Sequence, residues 1–480
     1  MYDYVVIGSG IIGSLITREL SKYAVKVLVI DKENDIASHQ TTANSAIIHS
    51  GHDPKVGSLK AKFCVLGNKL YDDLEKELNI PLLRTGALVV ANGKKEETAL
   101  DELYQRALKN EVPEVSIISG EEARTLDPLL SKDITKALSL PTTKVTYPWE
   151  VAISAIGNAI KNGASFKRNA HVISIEKNST HYVLHLKDGS TIASKNIINA
   201  AGVNSDVIAS YLEEPEFKIT PRKGEYYVLD RKAVGLFHQV IYPLPTDAGK
   251  GVLIVPQVHG NVLLGPTSTL VEDKECYSNT KEGFSYIKQH LKRLSKEIPF
   301  DMIIRTFAGV RATSTYEDFY IKESKLHKGF YHVAGIDSPG LTAAPAIANY
   351  VVHELLNIQA PLKTAFDPIF QKPKPFHSLP FETQQKLVRE NPKYGNLICK
   401  CEKITEQEII DAIHGPTGND TIKGIKKRAR AGAGLCQGGY CEGLVLKIIA
   451  RETNKPLTEI NYYASDTPIL VKETKTNEKN

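Results

Sequence analysis

The chain has few cysteines, six in 480 residues, with one tryptophan and two methionines. It has no apolar run of the ~18 residues that a membrane-crossing helix needs. The first apolar stretch, Tyr4 to Ile7, begins where the charged region and apolar core of a secretory signal would have to lie. A soluble, cytoplasmic protein without an integral membrane segment is therefore expected, one that meets a membrane only peripherally, through a partner. Six cysteines without a secretory signal argue against a disulfide scaffold and leave core, catalytic or metal roles. Sixty Lys and Arg face 55 Asp and Glu, and the net +5 is too small an excess over this length to favour nucleic acid or a membrane surface. No internal repeat is found. A hydrophobic share of 42% excludes disorder and collagen as whole-chain classes.

What is present is an alternation of strand-like runs (Tyr4 to Ile7, Val25 to Ile30, His181 to Leu186, Lys195 to Asn199, Gly251 to Val255, Asn261 to Leu264) with helical patterns up to about residue 370. That is an α/β signature. From Asp367 to Asn396 the composition turns to Pro, Lys, Gln and Phe, as in a semi-extended connector bearing a short helix. Leu397 to about Lys455 then holds four of the six cysteines, and the polar end KETKTNEKN is expected to fray.

The strand Tyr4 to Ile7 runs into Gly8-Ser9-Gly10-Ile11-Ile12-Gly13, and a helical pattern follows through Leu15, Ile16 and Leu20. In this order Gly8 permits a tight turn, Gly10 lets the backbone approach a pyrophosphate, and Gly13 lets helix and strand pack closely. The next strand ends in Asp31, placed to accept hydrogen bonds from ribose hydroxyls. A dinucleotide site follows. No second fingerprint for a nicotinamide cofactor is found, so electrons are expected from an organic substrate. Val333-Ala334-Gly335 leads through Ser338-Pro339-Gly340-Leu341-Thr342 into an apolar helical pattern, and N–H groups at such a helix start can offset the negative charge of a reduced flavin. A plain glycine turn before a core helix is the bland alternative.

These segments, with Ser38 to Ser45 and Asn199-Ala200-Ala201-Gly202, resemble the FAD-dependent oxidoreductases of the D-amino-acid oxidase and glycine oxidase superfamily over about the first 360 residues. Within it, Asn44-Ser45-Ala46-Ile47-Ile48-His49-Ser50-Gly51, Phe307-Ala308-Gly309-Val310-Arg311 and Ser338 to Ile347 are most similar to the glycerol-3-phosphate oxidase and dehydrogenase group. L-2-hydroxyglutarate oxidases share parts of the pattern, including Gly57 to Lys62. The resemblance implies a Rossmann-like FAD-binding domain (about 1–85, 145–215 and 325–360) interleaved with an α+β substrate domain (about 86–144 and 216–324), together spanning 1–366. A linker over 367–396, a small helical four-cysteine domain over 397–455 and a tail over 456–480 complete the expectation.

Further cofactor contacts implied by the resemblance are Thr42, Asn44, Ser45, Ala201, Gly202, Gly335, Ser338, Gly340, Leu341 and Thr342. Taken alone, His49 after two isoleucines reads as a core histidine and Arg311 as a surface or structural ion pair. The resemblance implies catalytic roles for both, with Ser45 beside them. Hydride transfer from a secondary alcohol to a flavin needs a base for the hydroxyl proton and a cation for the substrate's acidic group. Arg222-Lys223-Gly224-Glu225-Tyr226 resembles a segment returning toward the flavin and is a secondary anchor. One departure stands out: Asp337 occupies a position where the glycerol-phosphate oxidases carry Lys, and its charge would repel a phosphate.

Cys399-x-Cys401 and Cys436-x4-Cys441, each on a loop before a helical pattern, can converge on one tetrathiolate site for zinc or 2Fe-2S. The segment Cys-Gln-Gly-Gly-Tyr-Cys resembles bacterioferritin-associated ferredoxin, a module also appended to anaerobic glycerol-3-phosphate dehydrogenase. That implies a 2Fe-2S cluster, zinc being the alternative, and an electron-acceptor protein or subunit as partner. Lys423, Lys426, Lys427, Arg428 and Arg430 read as a solvated helix face rather than a dock for an acidic partner. Cys64 and Cys276 lack metal spacing and read as structural. Competing functions are an L-2-hydroxyglutarate or amine oxidoreductase on the same scaffold, and a non-enzymatic flavin- and zinc-bound sensor or assembly subunit.

Overall fold

The first strand, Tyr2–Ile7, buries its last three residues, Val5, Val6 and Ile7, on both faces, as a strand inside a parallel sheet must. It lies between Val27–Ile30 and Thr191–Asn199, both parallel to it. The computed structural model describes residues 1–245 and 251–472, so most of the polar end, 473–480, lies outside the described residues. The chain forms two units, Met1–Ile30 with Ala37–Phe370, and Asp31–Ile36 with Gln371–Asn480.

In the first unit the strand expected from Lys195 begins earlier, at Thr191, because its two halves have different partners. Its first half pairs antiparallel with Tyr182–Leu186 and its second half parallel with Phe330–Ala334. Helix Ile11–Leu20 packs against helices Pro148–Lys161 and Gly340–Tyr350, and helix Leu59–Leu78 packs against Gly340–Tyr350 as well. The last contact is close: a Cβ at Gly67 would lie 2.0 Å from the Thr342 carbonyl oxygen. Helix Gly340–Tyr350 contains Pro345, whose missing N–H leaves the Leu341 carbonyl without its helical donor, and the Tyr71 hydroxyl donates to that carbonyl at 2.8 Å.

A second, largely antiparallel sheet is built from strands between residues 87 and 139 and between 222 and 311. Its long central pair is Arg222–Leu229 against Ile303–Arg311. Its core includes Leu88, Ile241, Ile254 and Leu264. Strands expected over Gly251 to Val255 and Asn261 to Leu264 fall at Leu253–Pro256 and Val262–Gly265.

The second unit holds helices Phe381–Glu390, Glu406–His414, Ile422–Ala429 and Glu442–Thr453, with a short strand pair Leu397–Cys399 and Ile404–Thr405. Thr405 and Glu408 form the capping box that opens the second of these helices. The basic run on Ile422–Ala429 is not a solvated face. Lys427 is 6% exposed, and both Lys427 Nζ and Arg428 Nη2 lie 2.7 Å from the Asp35 carboxylate. Arg430 pairs with Glu402 at 3.0 Å. No helix among the described residues is long and apolar enough to cross a membrane.

Candidate active site and cysteine centre

The three glycines act where strand, turn and helix meet. A Cβ at Gly13 would lie 1.9 Å from the Gly8 carbonyl oxygen, and one at Gly8 2.5 Å from that of Ala200. Gly8, at φ +107, turns the chain into helix Ile11–Leu20. That helix starts at Gly10 with no side-chain cap and no acid in its first turn, and Gly340–Tyr350 starts the same way at Pro339. The first N–H of each is taken, that of Ile11 by Thr41 Oγ1 and that of Gly340 by the Asp337 carbonyl oxygen, and the remaining first-turn N–H groups are suited to an anion. Gly8, Ala201 with Gly202, and Gly335 follow the C-terminal ends of three neighbouring parallel strands, where open α/β sheets bind dinucleotides. Asp31 follows the end of Val27–Ile30 in the chain, and its Oδ1 accepts the Glu33 N–H at 3.0 Å. The donor set and the uncapped helix starts fit FAD.

The segment from Gln40 to His49 ties the two sheets together. Thr41 Oγ1 accepts the Ile11 N–H at 3.0 Å, and the Gln40 amide reaches both Ile336 O and Ala312 N. Thr42 Oγ1 donates to His39 O. Asn44 donates to Gln40 O and Thr41 O and accepts from Ala46 N, so its side chain shapes this loop. Ala43 backs onto Gly309, where a Cβ would lie 1.9 Å from the Ala43 carbonyl oxygen. Ser45 Oγ is 3.2 Å from the Tyr226 hydroxyl, and Tyr226 stacks on Phe307.

His49 is buried and held from several directions. Its N–H donates to Thr342 Oγ1 at 2.9 Å, its carbonyl accepts from Asn68 at 3.0 Å, and its Nδ1 is 2.9 Å from the Tyr242 hydroxyl. Burial pushes the Tyr242 phenol well above the ordinary tyrosine value. Tyr242 and Asn68 carry no local motif, and neither is among the sequence candidates. Thr342, expected at the cofactor, also fixes the backbone of His49, and Leu341 is joined to Tyr71. Ser338 is exposed at the turn before that helix.

Arg222 and Arg311 stand directly opposite each other on neighbouring antiparallel strands. Opposed residues share a face, so two guanidinium groups are brought side by side. Arg311 Nη2 donates to Thr267 O at 3.3 Å and Arg222 Nη1 to Ser268 Oγ at 3.2 Å. Among the described residues neither forms an ion pair with a carboxylate. Gly224 makes room for Arg311, since a Cβ there would lie 2.6 Å from Arg311 Nη2. Asp337, the expected source of repulsion, has its charge offset by Lys60 Nζ at 2.8 Å.

In the second unit Cys401 Sγ and Cys436 Sγ are 3.7 Å apart. Two sulfurs bound to one tetrahedral metal at about 2.3 Å lie roughly 3.8 Å from each other. The Cys441 thiol hydrogen-bonds to Cys399, which holds Cys399 below and Cys441 above the ordinary cysteine value. Gly434 lets the two loops close, because a Cβ there would lie 2.4 Å from Cys401 Cβ. No group of three or more His, Cys, Asp or Glu converges on one metal position among the described residues. Cys399, Cys401, Cys436 and Cys441 are the thiols that would hold a 2Fe-2S cluster, and four thiolates are a donor set for zinc as well. Cys64 is buried in helix Leu59–Leu78, and Cys276 Sγ lies 3.8 Å from Ser278 Oγ, both in the first unit.

Residues 3–354 match the FAD dependent oxidoreductase family, and residues 397–451 match the BFD-like 2Fe-2S binding domain. The chain is 41% identical over 477 residues to a glycerol 3-phosphate dehydrogenase of Caloramator mitchellensis, with 99% of each chain covered. It is 31% identical over 408 residues to the mitochondrial L-2-hydroxyglutarate dehydrogenase of Caenorhabditis elegans, covering 74% of this chain and 93% of that one. Its fold matches the dithionite-reduced L-alpha-glycerophosphate oxidase of Mycoplasma pneumoniae with FAD bound, at a TM-score of 0.75 and 30% identity, covering 78% of this chain and 99% of that one. These matches set aside the sensor reading and support the 2Fe-2S cluster over the zinc alternative. The chain belongs to the FAD-dependent oxidoreductase family, as a homologue of glycerol-3-phosphate dehydrogenases and oxidases that carries a 2Fe-2S binding domain at its C-terminal end.

Proposed function

We propose that the protein oxidises the secondary hydroxyl of glycerol 3-phosphate to give dihydroxyacetone phosphate and delivers the electrons to an external acceptor. The opposed Arg222 and Arg311 carry this reading. Two adjacent cations with no carboxylate partner among the described residues are repulsive on their own and become favourable around a doubly charged anion such as a phosphate ester. His49 is the group to take the hydroxyl proton, its ring steadied by Tyr242 and its backbone by Thr342. Ser45, beside Tyr226, would orient the substrate. When bound, FAD supplies the hydride acceptor, and a cluster held by Cys399, Cys401, Cys436 and Cys441 supplies a one-electron relay.

L-2-hydroxyglutarate is the second reading, favoured by the likeness to the nematode enzyme; its carboxylates could meet the same guanidinium pair. Arg222→Met and Arg311→Met separate anchoring from chemistry. Each should raise KM for glycerol 3-phosphate about ten-fold or more, and Arg311→Met should also slow flavin reduction. Unchanged KM in both variants would remove the anchor and with it the main support for an anionic substrate.

A further inference from the structure

Helix Phe381–Glu390 buries none of its residues, and Phe381 is 71% exposed. Together with the strand turn that carries Cys399 and Cys401, this helix encloses a groove of about 700 Å³. Its lining includes the apolar side chains of Phe381, Val388 and Leu397. Its charged lining is of one sign, Arg389, Lys400 and Lys403, with no carboxylate among the lining residues. All three cations are exposed, and none has an ion-pair partner among the described residues. Lys400 lies between the two cysteines in the chain, so any occupant of the groove meets the thiol loop directly.

We propose that this groove is the docking site of an acidic one-electron carrier protein. The inference rests on the reading that the cysteine unit passes electrons outward. Oxidation of one secondary alcohol to a ketone releases two electrons and two protons; two carrier molecules are each reduced by one electron, and the protons leave to solvent. Exposed apolar side chains set among charged ones have the make-up of a protein interface. Charge of one sign around it speeds the encounter with an oppositely charged partner. Concavity selects a protein surface over a flat anionic bilayer. The other basic run of this unit is not available for such a role, because Lys427, Arg428 and Arg430 are paired with Asp35 and Glu402.

The test uses holoenzyme, wild type and the double variant Arg389→Glu, Lys403→Glu, with an acidic rubredoxin as probe and basic cytochrome c as its counterpart. Both enzyme forms are checked for flavin and cluster absorption and are reduced photochemically, so the outcome does not depend on the substrate reading. Rubredoxin should bind and be reduced by the wild type at low ionic strength. The variant should lose about ten-fold or more in both, and the gap should narrow as salt rises. Equal binding and reduction by the two forms, no rubredoxin binding by the wild type, or a preference for cytochrome c would overturn the proposal. So would loss of binding to phosphatidylglycerol vesicles in the variant with rubredoxin binding intact. Anaerobic addition of glycerol 3-phosphate to the same wild-type preparation tests the substrate separately.

Discussion

The Tyr242 hydroxyl lies 2.9 Å from Nδ1 of His49, with the two rings 6.0 Å apart and both residues buried. For Nε2 of an imidazole to take up a proton, Nδ1 must already hold one. Burial keeps the Tyr242 phenol protonated, so its oxygen can accept from Nδ1–H but cannot remove that proton. On the proposed role of His49 as the base, Tyr242 is a positioning residue that accepts from Nδ1–H.

Tyr242→Phe should lower the rate constant of flavin reduction by about ten-fold and move the pH profile of that step, while KM changes little. Loss of one buried hydrogen bond should cost about 1 kcal/mol in stability. Rapid-mixing kinetics across pH, with thermal melts, read these effects. An unaltered pH profile would reduce Tyr242 to packing.

Asp35 is buried between Lys427 and Arg428. Burial alone would raise its carboxyl, yet the charge of Arg428 and then that of Lys427 outweigh burial and hold it well below the ordinary aspartate value. Burial pushes Lys427 below its ordinary value in spite of Asp35. Arg428→Ala removes the guanidinium hydrogen bonds to Asp35 while Lys427 still neutralises the carboxylate, and should destabilise the second unit by about 1.5–3 kcal/mol. The folded carboxyl is depressed, so its contribution is full above the unfolded aspartate range and is lost as pH falls through the folded value. Wild-type melting temperature should therefore drop below about pH 4, and Asp35→Asn should flatten that part of the profile.

Local order makes part of this molecule readable. Strand, glycine turn and helix over residues 2 to 20 are consecutive, and the capping box of Thr405 and Glu408 spans four positions, so spacing alone exposes both. Long-range pairing hides the rest. Arg222 gains its meaning from a register with Arg311, and Tyr242 from a contact with a histidine 193 positions away. Asp337 reads as repulsive in the sequence because Lys60, which offsets it, belongs to a helix far earlier in the chain. The basic run near Lys427 reads as solvated because its partner, Asp35, lies 393 positions from Arg428.

Cys401→Ser should abolish the cluster absorption and lower bound iron, while substrate still reduces the flavin in a single turnover. Cys276→Ser, remote in sequence from the four cysteines proposed to hold the cluster, should retain both. Iron and sulfide analysis of anaerobically prepared protein checks this, with about two of each expected per wild-type chain for a 2Fe-2S centre. A Cys401→Ser protein with full cluster absorption would remove Cys401 from the ligand set.

Anaerobic mixing of the holoenzyme with glycerol 3-phosphate, L-2-hydroxyglutarate or small amines, followed at the flavin band, tests the central claim. The account predicts rapid bleaching by glycerol 3-phosphate, at least about ten-fold faster than by either competitor, with the rate falling about 100-fold or more in His49→Ala. No bleaching by glycerol 3-phosphate, with rapid bleaching by one of the others, would contradict it.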